Sequence, residues 1–353
     1  MRFLIVGLGS MGKRRVRNLQ AIQAGEIIGF DPREDRCREA RNKYGIEVHR
    51  TIRQAMATRP DAWVISTAPD LHMAYARMAL EAGKHFFTEA SVTDEGMAEL
   101  ASGLSGRKIV GVPSCTMRFY PGPKKIKDWV TAGRIGRVLG FTYHSGQYLP
   151  DWHPWEDYRS YYVSKKETGA CREIVPFELV WLTWVFGDVE ALSCMKGKVG
   201  DLDVEIDDLY QLLLKFQGGG IGHLMVDVLA RPDVRHMRIV GTEGVIEWLA
   251  KKNIVRASTL PDYSWETVEL NRGTVEKQYV NPEEPYIEEM SRFLRAIQGQ
   301  EDFGYSYEED HHILQILYQA EESSRRMKHA PIESRRSLSE SAKSKAQAKV
   351  SCF

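Results

Sequence analysis

The sequence predicts an α/β half followed by an α+β half: an N-terminal doubly wound parallel sheet, then a unit built on a large, mostly antiparallel open sheet. Three observations predict it. From Phe3 to about Val112 short apolar runs alternate with amphipathic stretches, as parallel strands joined by crossover helices do. Beyond about residue 136 the runs lengthen and follow one another without intervening helices. At 353 residues the chain also exceeds what one hydrophobic core usually organises.

In the first half, strands are expected at Phe3 to Val6, Ile27 to Phe30, Trp63 to Ser66, Phe86 to Thr88 and Ile109 to Val112. Between the third and fourth, Leu71, Tyr75, Met78 and Ala79 recur at helical spacing and Gly83 follows as a stop. In the second half, Val138 to Tyr143, Leu209 to Phe216 and Ile221 to Leu229 read as strands, with Gly218-Gly219-Gly220 turning between two of them. One helix interrupts them. It is expected to start near Pro176, which a first turn tolerates, and to run to Phe186 with Trp181 and Trp184 in a core between layers. Helices over Tyr286 to Ile297 and Glu308 to Met327 close the fold. The expected organisation is residues 1–120, residues 121–332 and a disordered Ser/Lys/Arg tail, 333–353.

Composition narrows the function. Hydrophobic residues make up 43% and charged residues 27%, as in ordinary globular proteins. Lys plus Arg equals Asp plus Glu at 48 each, so no overall field attracts nucleic acid or an acidic membrane. The five cysteines form no CxxC pair or compact framework, which points to a reducing cytoplasm and to no metal site. No stretch approaches the roughly 18 apolar residues of a membrane span.

Gly7-Leu8-Gly9-Ser10-Met11-Gly12 fits G-x-G-x-x-G, follows a strand directly and opens a basic helix at Lys13-Arg14-Arg15. Gly7 allows the tight turn, Gly9 lets backbone approach a pyrophosphate, and Gly12 permits close packing of helix on strand. This is the signature of a Rossmann dinucleotide site. Asp31 ends the second strand, nineteen positions after Gly12, where its carboxylate accepts from ribose hydroxyls. It favours NAD over NADP, although Arg33 nearby suits a 2'-phosphate. A methyltransferase shares a glycine-rich first turn and stands as another owner of such a loop.

Further motifs carry a resemblance. They are Thr67-Ala68-Pro69-Asp70-Leu71-His72, Glu81-Ala82-Gly83-Lys84-His85, Arg118-Phe119-Tyr120-Pro121, Gly133-Arg134-Ile135-Gly136 and Gly241-Thr242-Glu243-Gly244. With the glycine loop, and in this order, the chain resembles the glucose-fructose oxidoreductase and inositol dehydrogenase family, Gfo/Idh/MocA, over residues 1 to about 332. The resemblance implies that Thr67 to His72 line the nicotinamide end of the site, that Glu89 opens the next cofactor loop, and that Arg118 supports the cofactor or bridges the two halves. It also implies an NAD-dependent oxidoreductase acting on a sugar, nucleotide sugar or polyol, in the cytoplasm, as a dimer or tetramer formed through the second sheet.

Two departures bear on the chemistry. Where the family usually writes Glu-Lys-Pro, this chain has Glu89-Ala90-Ser91, and Ala90 carries no ammonium group. Counting back from Gly187-Asp188 aligns Glu173 with the usual Asp and Phe177 with the usual His, and phenylalanine exchanges no protons. Glu173 is therefore the leading proton carrier. His153 is a second candidate by its ordinary pKa, and Glu178 a third, expected on a first helical turn. The polar and aromatic stretch from Tyr148 to Arg159 suits sugar binding, with Tyr148, Trp152 and Trp155 as stacking faces and Lys165 as a following cation. That stretch resembles family members of bacterial surface-sugar synthesis. The alternative is an NAD-binding protein that has lost turnover.

Overall fold

The computed structural model describes residues 1–277, 279 and 281–326. The expected tail at 333–353 lies outside the described residues. In chain order the elements of the first half are β1 (Arg2–Val6), α1 (Ser10–Ala21), β2 (Glu26–Phe30), α2 (Glu34–Tyr44), β3 (Glu47–His49), α3 (Ile52–Ala57), β4 (Ala62–Ile65), α4 (His72–Glu81), β5 (His85–Thr88), α5 (Met97–Leu104) and β6 (Gly111–Pro113). The strands form a parallel sheet in the order β3-β2-β1-β4-β5-β6. Phe3 of β1 pairs with Ile27 on one side and Ala62 on the other. Order reverses beside β1, so the loops after β1 and β4 splay apart at their carboxyl ends and open a crevice there.

These strands are short and almost wholly apolar because helices cover both faces; Phe3, Leu4, Ile5, Val6 and Ile28 are all fully buried. Gly7 adopts φ +92°, and a Cβ there would lie 2.7 Å from the Ser66 carbonyl oxygen. A Cβ on Gly12 would lie 1.8 Å from the Gly7 carbonyl oxygen. No larger residue fits either position without moving β1 away from α1 or β4.

The second half comprises α6 (Pro121–Thr131), β7 (Val138–Gly146), α7 (Ala170–Phe186), β8 (Val189–Gly197), β9 (Leu209–Phe216), β10 (Ile221–Asp227), β11 (Val234–Gly241), β12 (Gly244–Leu249), β13 (Ile254–Thr259), β14 (Trp265–Glu269), α8 (Glu284–Ile297) and α9 (Tyr307–Arg326). Its strands make an eight-stranded sheet, β14-β13-β12-β11-β7-β10-β9-β8. Every pairing is antiparallel except β7 with β10. Alternation sets its faces: on β9, Tyr210, Leu212, Leu214 and Phe216 are buried, while Leu213 and Lys215 face outward.

The helix over this sheet differs from the expected one. α7 begins at Ala170, so Pro176 lies in its interior and withholds one backbone donor, a loss tolerated inside a helix this apolar. Glu173, not Glu178, occupies the first turn. Trp181 is fully buried and packs edge-on against Tyr143 and Trp248, at centroid distances of 5.3 and 5.7 Å. Trp184 is only half-buried, its carbonyl oxygen accepting from Lys127 Nζ at 2.7 Å.

α8 and α9 return to the first sheet. Phe293 packs on Phe87 at 5.8 Å and Tyr307 on Phe86 at 6.0 Å. Glu283, at the start of α8, accepts from Arg14, Arg17 and Asn18 of α1. The last helices thus tie the chain's end to the element that opens the crevice.

Candidate active site

A cleft of about 900 Å³ runs from the glycine loop, across the ends of β1 and β4, to the sheet floor formed by β7 and β11. Gly7, Gly9, Ser10, Met11, Asp31, Arg33, Thr67, Ala68, Pro69, His72, Glu89 and Ala90 all line it, so the loops singled out in the sequence converge on one wall. Gly12 stands behind the wall, where its hydrogen lets Gly7 close the turn.

The wall fits a dinucleotide. Gly9 caps α1 without any side-chain hydrogen bond, which leaves first-turn N–H groups for an anion. Asp31 is 2% exposed; Oδ2 accepts from Leu8 N at 2.8 Å and Oδ1 from Arg33 N at 2.9 Å. Those bonds hold the carboxylate at the crevice mouth with lone pairs left for a diol. Arg33 points its guanidinium to Asp35, and Arg36 instead stands 3.6 Å from Asp31 and above Gly9. Arg36 is a lining residue that the sequence reading missed. Its signal was available, since it lies one helical turn after Arg33.

Beneath the wall lies a buried ionic network. Arg15, fully buried, donates to both oxygens of Glu89 at 2.7 and 2.8 Å and stands 2.8 Å from Glu289 of α8. Ser66 Oγ adds a bond to Glu89, and Ser114, Thr116 and the Cys115 N–H bond Glu289. Burial pulls the Glu89 carboxyl upward, but Arg15 and Ser66 outweigh it and leave Glu89 below its ordinary value. Glu89 is therefore a fixed anion beneath this wall.

His72 is 2% exposed, and its Nε2–H donates to the Thr67 carbonyl at 3.1 Å. Burial lowers its pKa, so a neutral ring braces the Thr67–Pro69 loop. Arg118 does not line the cleft. It donates to the Val180 and Gly304 carbonyls at 3.1 and 3.0 Å and covers the Tyr305 ring, bridging α7 to the loop before α9.

Glu173 lines the cleft together with Ala90, Ile174, Phe177 and Tyr162. Its Oε1 accepts from the Tyr162 hydroxyl at 3.1 Å, while Oε2 is buried with no hydrogen-bond partner. Burial pushes the carboxyl up to about 7, Tyr162 opposes that, and the Glu89 anion adds to it. A cavity of about 10 Å³, room for one water, lies behind Ala90 and is lined by Ser91, Ser114, Thr116 and Asp310.

Glu178 is not in the cleft. It is fully buried in α7 and accepts from Tyr143, Ser145, Trp181 and Arg235, so no lone pair is left to take a proton. Burial and the nearby Arg14 and Lys13 lower the His153 pKa against the pull of Glu156. The ring lies between Trp155 and Tyr161, at 5.0 and 5.6 Å, and lines the cleft as a neutral group. Trp152 lines the cleft too, with Nε1 bonded to the Gln147 carbonyl at 3.2 Å. Tyr148 and Trp155 do not. Arg231 covers the Tyr148 ring, and Trp155, 44% exposed, packs 6.0 Å from Tyr279. Lys165 lines the mouth, 3.8 Å from Asp70.

Tyr279 closes the glycine loop by donating its hydroxyl to the Ser10 carbonyl at 3.0 Å. No local signal could reveal a contact made across so much chain. Among the described residues no group of three or more His, Cys, Asp or Glu could hold a metal, and no helix is long and apolar enough to cross a membrane.

A glycine loop on a reversed parallel sheet, an acidic residue at the second strand and a cleft floored by an open antiparallel sheet define an NAD-binding oxidoreductase. Residues 1–99 match the oxidoreductase family, NAD-binding Rossmann fold, and residues 124–247 match the GFO/IDH/MocA C-terminal domain. The chain belongs to the Gfo/Idh/MocA family. It is 25% identical over 281 residues to levoglucosan dehydrogenase of Pseudarthrobacter phenanthrenivorans, covering 71% of this chain and 70% of that protein. It is 24% identical over 343 residues to myo-inositol 2-dehydrogenase of Thermotoga maritima, covering 92% and 96%. The solved structure of levoglucosan dehydrogenase with NADH and levoglucosan superposes with a TM-score of 0.79 at 19% identity, over 92% of this chain and 97% of that one.

Proposed function

We propose that the protein is a dehydrogenase that moves hydride between NAD and a CH–OH carbon of a sugar, nucleotide sugar or related polyol, with Glu173 as the proton carrier. The observation that carries this reading is the Glu173 carboxylate in the cleft wall it shares with Ala90 and Phe177: one oxygen is held by Tyr162, and the other is buried and unpartnered. The sugar and polyol substrates named for the relatives support the substrate class.

Bound NAD supplies the hydride acceptor. The protein's part is to orient and to move one proton. Asp31 would hold the adenosine ribose and the first turn of α1 the pyrophosphate, while Thr67 to His72, with Glu89 beneath, would line the nicotinamide end. In the oxidation direction the substrate O–H breaks, Oε2 of Glu173 takes the proton and the carbinol carbon becomes a carbonyl. A carboxyl with a pKa near 7 suits both directions, because it neither holds nor releases its proton too firmly near neutrality. Ala90 and Phe177 make the adjoining wall apolar and leave Glu173 as the site's aligned proton-transfer group.

NADH formation with a panel of sugars, polyols and nucleotide sugars tests the activity, and Glu173→Gln tests the base. The substitution is expected to slow turnover about 10²- to 10⁴-fold while NAD still binds. His153→Gln is the comparison. A large loss only there moves the role to His153. A bound cofactor that never changes redox state supports instead a binding protein that keeps the dinucleotide without turnover, the reading that Ala90 and Phe177 favour. A cytoplasmic homo-oligomer built through the outward face of the second sheet completes the proposal, with Met195, Leu213, Ile221 and Val240 exposed there.

A further inference from the structure

We infer that Tyr162 is the positioning residue for Glu173: its hydroxyl holds Oε1 and thereby fixes the carboxylate in the cleft wall, with Oε2 left as the unpaired oxygen. The inference rests on the dehydrogenase reading and adds a residue to it.

Tyr162 lies on the segment of short 3-10 turns between β7 and α7, which crosses the cleft mouth. That segment is itself anchored. The Tyr162 carbonyl accepts from Thr168 Oγ1 at 2.7 Å and from Lys165 N at 3.1 Å, and Thr168 is 3% exposed just ahead of α7. The two residues of the pair are therefore held from both ends: Glu173 by the first turn of a buried helix, Tyr162 by a loop whose backbone is tied to that helix's start.

The two oxygens of the carboxylate are unequal as a result. Oε1 has its donor at 3.1 Å, whereas Oε2 is buried without one and stays open to a further donor. The donor that fits an aqueous cleft facing a dinucleotide wall is a ligand hydroxyl. Tyr162 cannot be the proton acceptor itself. Burial and the adjacent Glu173 raise its pKa well above the ordinary phenol value, so it remains an O–H donor throughout the working range. The proton balance is then simple: the substrate O–H bond breaks, the Oε2–H bond forms, the hydride leaves the same carbon for the nicotinamide, and Tyr162 keeps its own proton.

The groups facing Glu173 are Tyr162 and Tyr161 from the crossing segment and Glu89 from the loop after β5. Its neighbours Ile174 and Phe177 on α7 are apolar. Tyr162 is the one of these that stabilises the ionised carboxylate. Its hydroxyl therefore lowers the Glu173 pKa, and removing it raises that pKa.

The test is an infrared titration of the Glu173 carboxyl band in the NAD-bound protein, the band being assigned by its loss in Glu173→Gln. Tyr162→Phe is expected to move the midpoint upward by about one pH unit, a tenfold change in the proton equilibrium. With levoglucosan and myo-inositol as probes, the acid limb of kcat/KM should move the same way, kcat should fall at least tenfold, and the KM for NAD should stay unchanged. Thr168→Val, which frees the Tyr162 backbone, should give a smaller shift of the same sign and serves if Tyr162→Phe fails to fold. An unmoved or lowered midpoint in both variants overturns the inference. The dehydrogenase reading fails separately: the midpoint still shifts, but turnover is insensitive to Glu173→Gln. In that case Tyr162 has no catalytic partner and the inference falls with it.

Discussion

Asp31 spends one lone pair of each oxygen on a backbone N–H, from Leu8 and from Arg33, before any ligand arrives. It therefore does two things: it shapes the glycine loop and it presents a negative charge where a 2'-phosphate would sit. NAD should stabilise the protein more than NADP does; at 100 times its dissociation constant a ligand adds about 2.7 kcal/mol relative to the unliganded protein. Paired thermal melts check this, and Asp31→Ala should narrow the difference while costing about 1–3 kcal/mol in the apo protein, because the Leu8 donor is left buried and unpaired. Equal shifts for the two dinucleotides in the wild type would reject the argument. Glu173 supports a second prediction that needs no substrate. Its folded pKa, about 7, lies above the ordinary 4.5, so the folded state holds a proton that the unfolded state has released. Its contribution to stability is fully present below about pH 4.5 and is lost as pH rises through about 7. Glu173→Gln removes that dependence. The variant should gain melting temperature relative to wild type between about pH 5 and about pH 8, and a constant difference across that window would mean that Glu173 titrates normally.

α7 carries two acidic residues with opposite fates, and the helix geometry explains why. Glu173, in the first turn, lies where the chain enters from the crossing segment and reaches the cleft. Glu178, more than a turn further on, points into the layer between helix and sheet, where the aromatic cluster of Tyr143, Trp181 and Trp248 lies. It is the counter-charge of Arg235, whose Nη2 donates to it at 2.9 Å, and the acceptor for the indole and hydroxyl groups around it. Glu178→Ala leaves a half-buried guanidinium and three other donors without their acceptor, so the expected loss is about 3 kcal/mol of stability. Denaturant unfolding measures it. If Glu178→Ala instead kept its stability and lost only turnover, Glu178 would be a chemical group after all.

Charge as well as packing ties the late helices of the chain to the first sheet. Arg15 and the Glu89 and Glu289 carboxylates join α1, the loop after β5 and α8, while Glu283 binds Arg14 and Arg17. The boundary expected at residue 120 therefore describes the sheets, whereas α8 and α9 pack back on the first one. On the far side the eight-stranded sheet presents an uncovered face. Leu213 and Ile221 are 53% and 57% exposed there, and a protein that stays monomeric seldom leaves a broad apolar patch open to water. Leu213→Arg together with Ile221→Glu should lower the mass measured by light scattering to that of one chain without changing NAD binding. An unchanged mass would place the interface elsewhere or show that none exists.

The glycine turn, the alternating strands and helices of the first half and the acidic end of β2 were legible in the sequence because each depends on local rules. A positive φ demands glycine, a strand buried on both faces is continuously apolar, and a helix repeats its apolar stripe every three or four residues. The start of α7 was misread for the same reason. Pro176 is a strong local signal for a first turn, and only the packing of an apolar helix between two layers overrides it. What joins Tyr162 to Glu173, Arg15 to Glu289, Glu178 to Arg235 and Tyr279 to Ser10 has no local signature, since residues 11 to 274 positions apart meet only when the sheets and helices set their side-chain directions. The sequence by itself thus determined the class of fold and the cofactor loop, and offered Glu173 as a candidate proton carrier. The tertiary structure decided which of Glu173's oxygens is bare, and that Glu178 balances a buried charge, because desolvation and hydrogen-bond partners belong to the packed interior.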